Sequence, residues 1–254
     1  MSFLAGKKGL VVGIANDSSI AWGCARVLRA NGAQCAVTYL NDKAERHVAP
    51  LAKRIDAPIV MPLDVTRPEQ QDALFSAIAE RWGRLDFILH SIAFAPKQDL
   101  QGRLVDSSAE GFMQAMDISC HSLMRLAAAA EPLMSDGGSI LTMSYYGAEK
   151  VVTHYNLMGP VKAALEASVR YLAVELGTEN IRVNALSPGP VQTRAASGLT
   201  DFDKLMEKAA ENAPLHQLVT LDQIGEMAAF RVSDRATQIT GQTLYVDAGF
   251  NVRG

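Results

Sequence analysis

The stretch "GLVVGIANDSSIAWG", residues 9–23, joins a short apolar run to a loop that opens a helix. The apolar residues up to Ala15 are typical of a buried strand, and Ser18 or Ser19 could cap the helix that follows. The free N–H groups at such a helix start would face a pyrophosphate. The loop lacks a Gly-x-Gly-x-x-Gly pattern, because Ala15 stands where a second glycine would follow Gly13. By itself it fits a dinucleotide site and a structural turn equally well.

Six further apolar runs alternate with longer amphipathic stretches along the 254 residues. This alternation predicts βαβ units around a parallel sheet that is buried on both faces. We therefore predict an α/β fold with one domain over residues 1–254, a Rossmann-type, doubly wound, seven-stranded parallel sheet flanked by helices. Ligands should lie at the carboxyl ends of the strands. The predicted strands are residues 9–15, 34–40, 58–63, 85–91, 138–144, 181–187 and 242–247.

The composition argues against several classes of function. A net charge of −3 and the lack of a basic stripe predict that nucleic acid is not a partner. Three widely spaced cysteines and five histidines without ligand spacing predict neither a disulfide framework nor a metal site. No run reaches the roughly 18 apolar residues that a membrane helix needs, so we expect no membrane insertion and a cytoplasmic location.

A second stretch, "YYGAEKVVTHYNLMGPVK" at residues 145–162, offers two tyrosine–lysine pairs. Tyr146 and Lys150 have the four-residue spacing of ordinary short-chain dehydrogenases, but the β-branched residues after Lys150 predict a loop. Lys162 opens a clear helical pattern, and seven residues make nearly two turns. Tyr155 and Lys162 would then share one helical face about 10 Å apart. We favour this second pair, although each residue alone also fits a core tyrosine or a solvated lysine.

Five motifs spread along the chain resemble one family: "GIANDSSIAWG", "HSIAFAP", "LTMSYYGAEKVVTHYNLMGPVKAALEASVRYLAVEL", "IRVNALSPGPVQT" and "GQTLYVDAGF". They are similar to those of the bacterial NADH-dependent enoyl-acyl-carrier-protein reductases, divergent members of the short-chain dehydrogenase/reductase superfamily. The resemblance implies an oxidoreductase that reduces the trans-2 double bond of enoyl thioesters by hydride transfer from NADH. Its expected place is the elongation cycle of type II fatty-acid synthesis.

The resemblance also implies catalytic roles. Tyr155 would donate a hydrogen bond to the thioester carbonyl, Lys162 would hold the nicotinamide ribose hydroxyls, and Tyr145 would border the acyl pocket. This agrees with the chemistry, because hydride delivered to the β-carbon drives negative charge onto the carbonyl oxygen and calls for a donor there. A neutral phenol with a reference pKa near 10 is suited to that task.

The cofactor should contact four loops. The resemblance implies that Asp64 and Val65 border its adenine, although Asp64 could simply end the third strand. Tyr39, Leu40 and Asn41 follow the second strand without the paired basic residues that a 2′-phosphate requires, which favours NADH over NADPH. The full set implied for NADH is Gly13, Ala15, Ser19, Ile20, Asp64, Val65, Ser91, Ile92, Ala93, Lys162, Val191 and Thr193.

Residues 187–214 are predicted to form a loop and short helix that cover the substrate. An ordinary surface helix is the alternative. Alanine replaces a glycine common in relatives at position 93, so its methyl group should narrow the pocket and alter inhibitor binding. The residues implied to bind substrate are Ala93, Phe94, Tyr145, Tyr155, Met158, Ala195, Leu199, Phe202 and Met206.

The expected partners are an acyl carrier protein that carries the enoyl thioester and further copies of the chain. Lys204 and Lys208 could contact the acidic carrier, although acidic residues lie among them. The resemblance implies a homotetramer, with the apolar carboxy-terminal stretch packed between subunits.

Two other functions fit the same scaffold. A ketone or alcohol reductase would be expected to carry a relay asparagine where Asp117, Ile118 and Ser119 stand, and Asp117 could equally be a buried acid that anchors a helix. A dinucleotide-binding sensor would not need an intact Tyr155 and Lys162.

Overall fold

A computed structural model describes residues 2–193 and 202–253. Within these residues seven strands form one parallel sheet in the order β3-β2-β1-β4-β5-β6-β7. Each predicted strand overlaps an observed one, so the predicted fold class is confirmed. The strands are β1 (Lys8–Val12), β2 (Gln34–Tyr39), β3 (Val60–Pro62), β4 (Phe87–His90), β5 (Gly138–Met143), β6 (Ile181–Pro188) and β7 (Thr243–Val246).

Helices cover both faces of the sheet. Helices α1, α2 and α9 pack on one face, and α3, α6 and α7 pack on the other. Side chains alternate along each strand, so that Val11 points to the first layer while Leu10 and Val12 point to the second. The helices are α1 (Ile20–Ala30), α2 (Asp42–Arg54), α3 (Pro68–Trp82), α4 (Lys97–Gln101), α5 (Ala109–Met116), α6 (Ser122–Ala130), α7 (Met158–Glu175), α8 (Phe202–Asn212) and α9 (Leu221–Val232).

Strand order reverses between β1 and β4, which lie side by side although three helices and two strands separate them in the chain. The loops after these two strands diverge to opposite faces, and this divergence opens a crevice at the carboxyl edge of the sheet. The fold therefore places the loop after β1 and the loop after β4 together. No helix among the described residues is long and apolar enough to cross a membrane.

The β1–β4 pairing depends on a close contact between Gly9 and Phe87, which are paired in register. A Cβ atom at position 9 would lie 2.0 Å from the Phe87 ring, and that ring is fully buried. Because the ring has no open space to move into, a side chain at position 9 would overpack the core.

We expect Gly9→Ala to lower the free energy of unfolding by about 1–3 kcal/mol, the usual cost of overpacking a core. Urea denaturation would measure the change. Gly177→Ala is the matched control, because a Cβ at Gly177 meets no heavy atom within 4 Å. It should change the stability by less than about 0.5 kcal/mol. Equal stabilities for the two variants would contradict this account of the contact.

Candidate active site

A cavity of about 760 Å³ lies at the carboxyl edge of the sheet, where the loops after β1 to β6 converge. Seventeen of the residues proposed from the sequence line it. They are Gly13, Ala15, Ser19, Ile20, Asp64, Val65, Ser91, Ile92, Ala93, Phe94, Tyr145, Tyr155, Met158, Lys162, Val191, Thr193 and Phe202. Met206 lies on α8 but does not line the cavity, and Ala195 and Leu199 fall outside the described residues.

The loop after β1 brings backbone N–H groups to this cavity. Gly13 has a φ of 109°, and a Cβ there would lie 2.0 Å from the Ser91 carbonyl oxygen, so both the conformation and the packing require glycine. The predicted serine cap is wrong in its detail. Ser19 is the residue before α1, but its hydroxyl accepts the N–H groups of Ala15 and Asn16 at 3.0 and 3.1 Å instead of a helical N–H. The start of α1 is thereby left without a side-chain cap beside the cavity.

Tyr155 and Lys162 both line the cavity, but they do not share a helical face as predicted. Helix α7 begins at Met158, and Tyr155 precedes it in a turn where His154 and Asn156 have φ values of 65° and 43°. Such left-handed residues end any helical pattern, and asparagine adopts them more readily than most residues. The Asn156 side chain further fixes this turn by donating to the Leu100 carbonyl at 2.8 Å.

The rings of the two tyrosines of the site pack against each other at a tilt. The ring centroids of Tyr145 and Tyr155 are 4.8 Å apart with an interplanar angle of 58°. Gly147 makes room for this pair, because a Cβ there would lie 2.4 Å from Cδ1 of Tyr155. Burial, followed by the nearby Tyr145 and Glu166, raises the pKa of Tyr155, and burial raises the pKa of Tyr145 to about 12. Both phenols therefore keep their protons at neutral pH.

Lys162 lies in the first turns of α7 and is only 4 % exposed. Its Nζ donates to the Met143 carbonyl at the end of β5, at 2.6 Å. Burial lowers its pKa from 10.5 to about 8, while Cys120 and the Glu166 carboxyl act in the opposite direction. An ammonium carries three N–H donors, so two remain available to a molecule in the cavity.

The competing pair does not reach the cavity. Tyr146 is buried with its ring 5.5 Å from that of Phe250 and 6.4 Å from that of Tyr245. Lys150 is exposed, in the loop that the β-branched residues predicted. The Tyr146–Lys150 pair, with its four-residue spacing, is therefore not part of the site.

A buried histidine, His90, lies near Lys162. Ser122 donates its hydroxyl proton to the Ile118 carbonyl at 2.6 Å, so its oxygen accepts from Nε2 of His90 at 2.8 Å. Nδ1 of His90 is then the acceptor for the Thr142 hydroxyl, also at 2.8 Å. Burial and the charge of Lys162 lower the pKa of His90 to about 3, so the ring stays neutral. This network ties β4 and β5 to the helical segment that carries Ile118.

Residues 117–121 form a π-helical turn between α5 and α6, and the residues that stand at the place of the relay asparagine, Asp117, Ile118 and Ser119, have different surroundings. Ser119 is buried and exchanges two hydrogen bonds with the backbone of Phe94, at 2.8 and 2.9 Å. Asp117 is half-exposed and not a buried acid. It pairs with Arg125, whose guanidinium also donates to the Val65 carbonyl at 2.8 Å. Asp117 therefore anchors the helical segment to the loop after β3 and does not line the cavity.

Several wall residues were not proposed as site residues from the sequence. Thr38, Leu40 and Thr66 line the cavity, and their positions at the carboxyl ends of β2 and β3 could have identified them. Four further wall residues lie on α4, α5 and the π-helical turn, and no sequence signal marks them. They are Lys97, Leu100, Gln114 and Ile118.

The sheet order, the crevice at the β1/β4 switch and the tyrosine–lysine pair in its wall define a Rossmann-type protein of the short-chain dehydrogenase/reductase class. The chain belongs to the enoyl-(acyl carrier protein) reductase family, whose family model matches residues 13–251. This confirms the family resemblance noted in the sequence.

Individual relatives agree. The chain is 49% identical over 251 residues to the enoyl-[acyl-carrier-protein] reductase [NADH] of Rickettsia felis, covering 99% of this chain and 96% of that protein. A solved enoyl-(acyl-carrier-protein) reductase of Anaplasma phagocytophilum in complex with NAD is 50% identical, with a TM-score of 0.96 and 99% and 96% of the two chains covered. The Bacillus cereus enoyl-acyl carrier protein reductase, solved with NADP+ and an indole naphthyridinone, is 44% identical, with a TM-score of 0.97 and full coverage of both chains.

Proposed function

We propose that this chain is an NADH-dependent enoyl-[acyl-carrier-protein] reductase, which reduces the trans-2 double bond of enoyl thioesters during fatty-acid elongation. One observation carries the proposal beyond family membership. The Tyr155 phenol and the buried Lys162 ammonium line one cavity at the topological switch point of the sheet. The domain proposed to do this work is residues 1–254, with a substrate cover at about 187–214.

NADH fits the residues that line this cavity. The close approach of Gly13 to Ser91 and the uncapped start of α1 provide backbone donors for a pyrophosphate. Two N–H groups of Lys162 are left to hold the ribose hydroxyls. When bound, the nicotinamide supplies a hydride to the β-carbon of the enoyl thioester.

Tyr155 acts on the substrate as that hydride arrives. The electron pair of the double bond moves toward the thioester carbonyl, and the oxygen becomes an enolate oxygen. The Tyr155 hydroxyl donates a hydrogen bond to this oxygen, and its raised pKa keeps it a neutral donor. Tyr145, whose ring packs on that of Tyr155, borders the acyl chain and holds the ring in place. A proton added at the α-carbon completes the saturated product.

The end of β2 supports NADH over NADPH. Leu40 lines the cavity there and is 55 % exposed. Asn41 uses its side-chain oxygen to accept the Ala44 N–H at 3.0 Å, and the exposed Asp42 follows. Residues 40–42, an apolar side chain, an occupied amide and a negative charge, offer a 2′-phosphate no cation, and the exposed Lys43 and Arg46 come later, on α2.

A homotetramer that works in the cytoplasm belongs to the same proposal. Exposed apolar side chains on two helices favour self-association: Phe112 and Met113 on α5, and Tyr171 and Val174 on α7. Lys204 and Lys208 lie exposed on α8, where the proposal places the acyl carrier protein.

A spectrophotometric comparison of thioesters and cofactors tests the activity. With crotonyl thioester and NADH we expect steady loss of NADH absorbance, and with acetoacetyl thioester almost none. NADPH should support a kcat/KM about tenfold or more lower, because residues 40–42 offer its 2′-phosphate no cation. Turnover of the keto thioester alone would indicate a ketone reductase, and NADH binding without oxidation would indicate a sensor.

A further inference from the structure

Two polar side chains, Lys97 and Gln114, line the cavity at its Tyr155 end. Lys97 is the first residue of α4, and Leu100 of the same helix packs on the apolar cluster of Leu157, Met158 and Val161 beside Tyr155. The Leu100 carbonyl also accepts the Asn156 amide at 2.8 Å, next to Tyr155 in the chain.

Gln114 reaches the same end of the cavity from α5. Its neighbour Ala115 is fully buried in that apolar cluster. Both Lys97 and Gln114 are themselves exposed, so they lie at the mouth of the cavity while Lys162 lies at its floor.

The charge on Lys97 is available to a ligand. Among the described residues that line the cavity, the cations are Lys97 and Lys162 and the one acid is Asp64, which follows the edge strand β3, three strands away from β4. Within the same residues Lys97 forms no ion pair. The nearest acid on α4 is Asp99, which is buried and accepts the Ser108 N–H at 2.6 Å.

We propose that Lys97 and Gln114 bind the phosphate of the phosphopantetheine arm on which the carrier protein presents the enoyl group. The inference rests on the proposed function, which puts the thioester at Tyr155. The arm must then leave past the exposed residues at the mouth of the cavity, among them Lys97 on α4 and Gln114 on α5. A lysine binds phosphate as a point charge, and the glutamine amide supplies a neutral second donor. The uncapped start of α1 would hold the diphosphate of NADH, which leaves Lys97 to the substrate.

The test uses two small substrates that differ only in the phosphate, crotonyl-4′-phosphopantetheine and crotonyl-pantetheine. For the wild-type protein with NADH, we expect the kcat/KM ratio of the phosphorylated to the unphosphorylated thioester to be on the order of tenfold, as for one charge-assisted hydrogen-bonded contact. Lys97→Met should bring the ratio close to one through a higher KM for the phosphorylated substrate. Gln114→Leu should lower the ratio less, and Lys97→Arg should keep most of it.

Lys150→Met is the matched control, because Lys150 is also an exposed lysine but does not line the cavity. It should retain the wild-type ratio. A wild-type ratio near one, or an equal loss with both thioesters in Lys97→Met, would overturn the phosphate site while leaving the reductase assignment intact. Failure of the wild-type protein to reduce either thioester would instead remove the proposed function, and this inference with it.

Discussion

Tyr155→Phe is expected to lower kcat for enoyl thioesters by about 100-fold to 1000-fold, the usual cost of losing one donor to a developing oxyanion. The substitution removes only the hydroxyl. The ring remains, with its centroid 4.8 Å from that of Tyr145 and its edge against Gly147, so the wall of the cavity should keep its shape. The dissociation constant of NADH should stay within about twofold, because no cofactor contact is assigned to the hydroxyl. Steady-state kinetics with crotonyl thioester and a fluorescence titration with NADH would measure the two quantities.

Tyr146→Phe is the control for this variant. Tyr146 is the tyrosine of the competing pair, it does not line the cavity, and its hydroxyl is buried with no hydrogen-bond partner among the described residues. Turnover of this variant should match that of the wild-type protein. Similar losses in the two variants, or a large loss of NADH affinity in Tyr155→Phe, would contradict the assigned role.

The architecture was largely predictable from local pattern. Short apolar runs such as residues 9–15 and 138–144 are typical of strands buried on both faces of a parallel sheet, and β1 and β5 overlap those positions. The edge that carries the site then follows from topology, because loops after parallel strands meet at one edge. The same argument could have identified Thr38, Leu40 and Thr66 as residues of the cavity wall.

The details that the sequence did not predict depend on tertiary contacts. Spacing alone placed Tyr155 and Lys162 on one helix, but the left-handed residues His154 and Asn156 form a turn that Asn156 ties to Leu100 on α4. The hydroxyl of Ser19 accepts N–H groups of the loop instead of capping α1. Both sets of N–H donors are close in the chain, so the sequence does not show which of them the hydroxyl accepts. Lys97 and Gln114 reach the cavity only because α4 and α5 pack beside α7. No periodicity in the chain encodes such contacts.

Lys162→Met is expected to raise the dissociation constant of NADH about tenfold to 100-fold, the range for losing one charge-assisted hydrogen bond. Methionine is about as long as lysine and is apolar. It therefore fills the space of the Lys162 side chain, which is 4 % exposed, while removing the ammonium. Lys150→Met, which changes an exposed lysine outside the cavity, should leave the constant unaltered.

The pH dependence of NADH binding is a second test of the role of Lys162. The pKa of Lys162 in the free protein is lowered to about 8, so the ammonium is present below that pH and is lost above it. Wild-type affinity should therefore be constant at pH 6 to 7 and weaken as the pH rises through 8. His90, with its pKa lowered to about 3, stays neutral over this range and adds no change. The Lys162→Met variant lacks the titrating group and should bind NADH weakly at every pH, whereas a bend near pH 8 that persists in the variant would assign the titration to another residue.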